Sequence, residues 1–117
     1  MKPLETYKPH DVVVIPFPFT DNIAKSKRRP AVVLSNDKPF NSQTHQLICA
    51  MITSSRASWP HDTLIHDLDI AGLPLSCVIR MKLFTIDQRF ILRKTGSLSK
   101  RDSRALGLSL KTVLGLK

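Results

Sequence analysis

The sequence predicts a small, mainly β domain that curls into a barrel or sandwich and ends in one helix. Three observations carry this expectation. Short apolar runs rich in β-branched residues alternate with turn signals until about residue 95. From Ser99 onward the apolar period changes from that of a strand to that of a helix. The chain has 117 residues, 42% of them hydrophobic. That suits one domain, taken as residues 1–117, with a core large enough to hide roughly two-thirds of the unfolded surface from water.

The elements follow in order. Asp11-Val12-Val13-Val14-Ile15 is the first strand, and Pro16 and Pro18 end it near Phe17 because proline cannot donate to a ladder. Residues Phe19 to Arg29 are polar and basic and read as an exposed loop. Pro30-Ala31-Val32-Val33-Leu34-Ser35 is the second strand, with Pro30 at its first position, where a missing N–H matters least. Asn36 to Asn41 is a turn-rich connection. Gln46 to Thr53, the most apolar run, is a central strand buried on both faces. Ser54 to Pro60 is a loop, and the alternation of Asp62 to His66 suits a half-buried strand. Gly72 and Pro74 mark a turn. Ser76 to Phe84 is a further strand with Arg80 and Lys82 on one face. Thr85 to Gln88 reads as a turn and Phe90 to Lys94 as the last strand. Ser99-Lys100-Arg101-Asp102 has capping-box spacing, and Leu106, Leu110, Val113 and Leu114 then line one helical face, with Gly107 weakening the helix.

Charge is the first functional clue. Lys and Arg number 18 against nine Asp and Glu, a formal net charge of +9. Such an excess attracts polyanions and points to nucleic acid, although anionic lipid or an acidic protein would also fit. The basic residues gather in Lys25-Ser26-Lys27-Arg28-Arg29 and in the tail beyond Arg93. No apolar stretch approaches the ~20 residues of a membrane helix, and Met1 to Thr6 lacks the apolar core of a secretory signal. A cytoplasmic protein without membrane association is therefore expected. Cys49 and Cys77 sit in apolar runs without metal or disulfide spacing and read as buried free thiols. His10, His45, His61 and His66 are scattered, and His61 and His66 would face opposite sides of one strand. No metal site and no cofactor is expected, and no glycine-rich phosphate loop is present.

A cation-rich site without a metal suits phosphodiester cleavage within RNA. The ribose 2′-OH attacks the adjacent phosphorus while negative charge grows on the phosphate oxygens. An arginine can meet that charge with two fixed donors, and a threonine hydroxyl can relay a proton or donate to the phosphate. Arg29, just before Pro30, and Thr53, at the end of the most buried strand, are placed for such roles. Phe17 and Phe19 could stack on bases or belong to the core. Lys27, Arg28, Arg80 and Lys82 are candidates for phosphate contact, as is the Ser55 hydroxyl. Trp59, the single tryptophan, either covers the barrel end or meets a partner.

Four blocks then resemble the MazF/PemK family of toxin endoribonucleases. They are Asp11-Val12-Val13-Val14-Ile15-Pro16-Phe17-Pro18-Phe19-Thr20-Asp21 with Lys27-Arg28-Arg29-Pro30-Ala31-Val32-Val33-Leu34-Ser35, then Ala50-Met51-Ile52-Thr53-Ser54-Ser55, then Ser76 to Asp87. The resemblance spans roughly residues 8 to 115. It implies an SH3-like barrel of the CcdB/PemK plasmid-maintenance type, a homodimer, and an antitoxin whose disordered tail occludes the RNA groove. It implies metal-independent cleavage of single-stranded RNA to 2′,3′-cyclic phosphate and 5′-OH ends, and hence inhibition of translation. It implies catalytic roles for Arg29 and Thr53 and a substrate-lining role for Phe17 through Lys27, which includes Phe19 and Thr20. The chain departs from the family pattern in two places. His10 stands where the family usually has glycine, so a positive φ there would be strained. Arg80-Met81-Lys82 lacks the acidic residue of many relatives, which makes the groove more basic. Two other functions stay open. A gyrase poison of the CcdB type would share the barrel without needing the Arg29–Thr53 pair, and a silent RNA-binding barrel would need only the charge.

Overall fold

The computed structural model describes residues 6–17 and 27–117. Six strands form one antiparallel, curled half-barrel sheet in the order β4-β5-β3-β2-β1-β6. They are β1 (Asp11–Phe17), β2 (Lys27–Val33), β3 (Gln46–Thr53), β4 (Thr63–Leu64), β5 (Val78–Asp87) and β6 (Arg93–Ser97). Three α-helices accompany them among the described residues: α1 (Ser42–Thr44), α2 (Leu68–Ala71) and α3 (Lys100–Leu114). The mainly β architecture with a C-terminal helix is as the sequence predicts.

Period-two alternation splits the core into two layers. Val12, Val32, Ala50 and Ile52 face one way and pack under Ile65, Ile79, Leu98 and Leu106. Val13, Ile15, Ala31, Val33, Leu47 and Cys49 face the other way and pack with Tyr7 and Ile86. β3, hydrogen-bonded to β2 on one side and β5 on the other, is thus apolar on both faces, as expected for a strand inside the fold.

Several boundaries differ from the sequence reading, each for a non-local reason. β2 starts at Lys27, because Phe17, Pro16 and Ile15 pair with Lys27, Arg28 and Arg29. The basic cluster therefore ends inside a strand, and Pro30 sits in mid-strand. Its missing donor is tolerated because β2 meets β3 only from Ala31 onward. β5 runs through the stretch Thr85 to Asp87 that reads as a turn, since Gln46, Leu47 and Ile48 pair with Asp87, Ile86 and Thr85. The chain turns at Gln88–Phe90, where Asp87 accepts from the Arg89 N–H, so β6 begins later than predicted, at Arg93. The predicted strand Asp62–His66 shrinks to Thr63–Leu64, and His61 and His66 lie outside it. Asn36–Asn41 contains a helical turn that leads into α1. In the last turn of α3 the predicted apolar face leaves the core: Leu106 is buried, but Val113 and Leu114 are exposed.

His10 adopts φ 78°, the strained backbone anticipated from its place in the sequence. The turn is fixed on both sides, since His10 N–H donates to Val33 O (2.8 Å) and His10 O accepts from Leu98 N–H (2.9 Å). A left-handed conformation costs a non-glycine residue about 1–2 kcal/mol, and the entropy lost by glycine offsets part of that. We expect His10→Gly to stabilise the fold by about 0.5–1 kcal/mol, read as a rise in Tm. An unchanged or lower Tm would show that the imidazole makes up for the strain.

Candidate active site

The site lies where β2 and β3 part. Their ladder ends at the pair Ala31↔Met51. Two residues further along the same register stand Arg29 and Thr53. Both share the parity of the second core layer, as do Phe17 on β1 and Arg80 and Lys82 on β5. Past the last packed residues of that layer, the same face carries an aromatic ring, three cations and a hydroxyl. They line a cleft of about 310 Å³ with Met51, Ile52, Ser54 and Ser55. A second cleft, of about 160 Å³, opens on the other side of the Arg29–Thr53 seam, between Arg28, Pro30, Leu73, Leu75 and Cys77.

The loop after β3 is built by its own hydroxyls. Thr53 Oγ1 accepts from the Ser55 N–H (3.1 Å), and Ser55 Oγ accepts from the Ala57 N–H (3.2 Å). Serine and threonine favour such turns because their oxygens bond the backbone two residues on. The turn holds the Thr53 hydroxyl at the cleft with one lone pair occupied, and its own proton can still be donated. On the opposite wall, Lys82 Nζ lies 5.5 Å from the centroid of the Phe17 ring, within cation–π range.

Arg80 is held most firmly. Its Nε and one Nη donate to both oxygens of Asp62 (3.2 and 2.9 Å), and the same Nη donates to Ala57 O (2.6 Å). The hydrogen bond from Arg80 holds the Asp62 carboxyl below its ordinary value. A depressed carboxyl pKa means that this pairing stabilises the fold above the ordinary carboxylate pKa and is lost as pH falls through the lower folded value. The opposing charge of Asp62 leaves Arg29 and Lys82 as the cations of this cleft without a carboxylate in an ion pair among the described residues.

The predicted site residues are thus partly assembled. Phe17, Arg29, Thr53, Ser55, Arg80 and Lys82 meet in one cleft. Arg28 points to the second cleft, because it has the opposite parity to Arg29. Lys27 is exposed, paired with Phe17 at the end of the β1–β2 ladder. Phe19 and Thr20 lie outside the described residues. Asp62 was missed by sequence reasoning; no local spacing links it to Arg80, 18 positions away.

Both cysteines are buried and free, as the sequence suggests. Burial pushes the Cys49 thiol up to about 12 and also raises that of Cys77, which disfavours the thiolate. Among the described residues no three His, Cys, Asp or Glu side chains gather as a metal site would require. No helix among them is long and apolar enough to cross a membrane.

The comparisons with known proteins bear on the family and the fold. Residues 8–114 match the family model described as PemK-like, MazF-like toxin of type II toxin-antitoxin system. No curated protein matches the chain. Similar solved structures include a MazE-MazF crystal structure from Deinococcus radiodurans, with a TM-score of 0.77 at 19% identity over 97% of this chain and 100% of that one. A Mycobacterial endoribonuclease in complex with its cognate antitoxin gives a TM-score of 0.75 at 15% identity, covering 97% of each chain. A Mycobacterium tuberculosis MazF toxin gives 0.72 at 17% identity, over 92% of this chain and 98% of that one. At such identities the likeness is one of fold.

Proposed function

The chain belongs to the PemK-like, MazF-like toxins of type II toxin–antitoxin systems, and we propose that it is a metal-independent endoribonuclease that cuts single-stranded RNA at the cleft between β2 and β3. One observation carries the reading: Arg29 and Thr53, from different strands, stand at register-matched positions on one wall of a cationic cleft.

The chemistry follows from these groups. The ribose 2′ oxygen bonds to phosphorus, the bond from phosphorus to O5′ breaks, the 2′ proton leaves and O5′ takes one up. The products are a 2′,3′-cyclic phosphate and a 5′-OH. Arg29 offers paired N–H donors to the non-bridging oxygens as their charge grows. Thr53, its oxygen already accepting from Ser55 N–H, donates its own proton to the phosphate or relays one. Lys82 raises the local potential, and Phe17 supplies a ring face for a base. A cognate antitoxin is the partner, as in the Deinococcus and Mycobacterial complexes, and the active form is a homodimer.

Incubation with mixed-sequence single-stranded RNA in excess EDTA tests this. Discrete fragments with 5′-OH ends are expected. Intact RNA that shifts on a gel would leave a silent binder. Intact RNA that does not shift would direct attention to a protein target such as gyrase.

A further inference from the structure

Trp59 has no role so far. It belongs to neither core layer and is 45% exposed. A large aromatic left in water is usually loosely held, yet this one is tied at its backbone N–H and lies against a fixed guanidinium. The Arg80 guanidinium lies 5.3 Å from its ring centroid. That guanidinium is fixed by both oxygens of Asp62 and by Ala57 O. Asp62 Oδ2 in turn accepts from the backbone N–H of Trp59 (2.9 Å). The circuit from Trp59 through Asp62 to Arg80 and back closes on the indole ring. The half-exposed indole thus stands against Arg80, a residue that itself lines the cleft.

Arg80 and Lys82 share one face of β5, and each lies against an aromatic ring, Trp59 and Phe17 respectively. The arrangement is two cation-backed rings along β5, each on a cation that lines the same cleft as Arg29 and Thr53. Neutralised by Asp62, Arg80 serves better as a backing for the indole than as a phosphate ligand. Base-on-aromatic stacking is sequence-tolerant and needs a ring held in place with a free face.

On the premise of the RNA-cleaving function above, we propose that Trp59 is a base-stacking platform at the rim of the cleft, with Asp62 and Arg80 as the residues that position it. It receives a nucleobase neighbouring the phosphate held at Arg29, and so contributes to which RNA segment is bound.

Because Trp59 is the only tryptophan, emission excited at the long-wavelength edge of the indole band, where Tyr7 does not absorb, reports on it alone. The wild-type protein is titrated with a fluorescein-labelled, single-stranded 2′-O-methyl RNA, whose blocked 2′ oxygen prevents cleavage. Anisotropy reads binding and indole emission reads stacking. The expected result is quenching that saturates in step with the anisotropy. An abasic sugar-phosphate chain of the same length should bind without quenching. Trp59→Ala should weaken RNA binding about tenfold, while Trp59→Phe retains most of the affinity. Binding without quenching, or equal quenching by the abasic chain, overturns the platform and leaves the endoribonuclease reading intact. Absence of both binding and cleavage overturns the two together.

Discussion

Arg29→Ala is expected to lower RNA cleavage by about 10²–10³-fold while Tm stays within a degree or two of wild type. Fold and function separate here because of where the side chain sits. β2 is held to β1 by its backbone from Lys27 to Val32, and the substitution leaves that ladder alone. Arg29 is half-buried and projects past the apolar layer, so truncation opens no cavity in the core. The loss falls on the chemical step, since charge on the non-bridging oxygens is greatest in the transition state. A solvated member of a basic run would behave differently. Its removal would weaken binding several-fold, flatten the salt dependence by about one phosphate contact, and leave the rate at saturating RNA unchanged. A fall in kcat at saturation therefore supports the catalytic role, and a change confined to KM refutes it. Arg29→Lys should recover little, because an ammonium is a point charge without the two parallel donors of a guanidinium. Thr53→Val, which keeps shape and removes only the hydroxyl, should fall between wild type and Arg29→Ala.

How much of this was legible in the sequence depends on whether the cause was local. Val12 to Ile15 and Leu47 to Ile52 declare themselves as strands because β-branched and apolar runs of that length have few other solutions. Ser99 declares the start of α3 because its oxygen serves an N–H three residues on. Arg29 and Thr53 were singled out, but their pairing rested on the family resemblance. Only the β2–β3 register, whose last pair is Ala31↔Met51, brings both to one cleft just beyond its end, and register is a property of two strands. The extension of β5 to Asp87 was hidden for the same reason, since β3 supplies its hydrogen-bonding partners. So was the Asp62–Arg80 pair, which joins a loop to a strand 18 positions later. Lys27, Arg28 and Arg29 look alike as a charge run. Strand parity separates Arg28 from Arg29, and the exposed end of the β1–β2 ladder leaves Lys27 outside the larger cleft, so only Arg29 of the three lines it.

Asp102 provides the largest expected effect on stability. Its spacing from Ser99 suggests a reciprocal capping box, but only half of one forms. Ser99 Oγ accepts from Asp102 N–H (3.2 Å). The Asp102 carboxylate turns instead to the loop after β4, where it accepts from His66 N–H (3.0 and 3.1 Å) and Asp67 N–H (2.9 Å). Asp67 answers by accepting from Ser99 Oγ (2.5 Å) and Arg101 (2.9 Å). Those hydrogen bonds, from Ser99 first and Arg101 second, hold the Asp67 carboxyl below its ordinary value. The start of α3 and the loop from β4 to α2 are thus stitched by two carboxylates in opposite directions, and the stitch seats Leu106 in the core. Asp102 is fully buried, so Asp102→Ala leaves two backbone N–H groups short of an acceptor. At about 1–3 kcal/mol for each such group, the loss should be about 3 kcal/mol, or roughly 10 °C in Tm for a domain of this size. Asp102→Asn keeps one carboxyl-type oxygen and should lose about half as much. None of the partners of Asp102 lines the larger cleft. Below its lowered Tm the Asp102→Ala protein should therefore cleave RNA at the wild-type rate, opposite in pattern to Arg29→Ala. A Tm within 2 °C of wild type would show that water or a shifted loop serves the two amides.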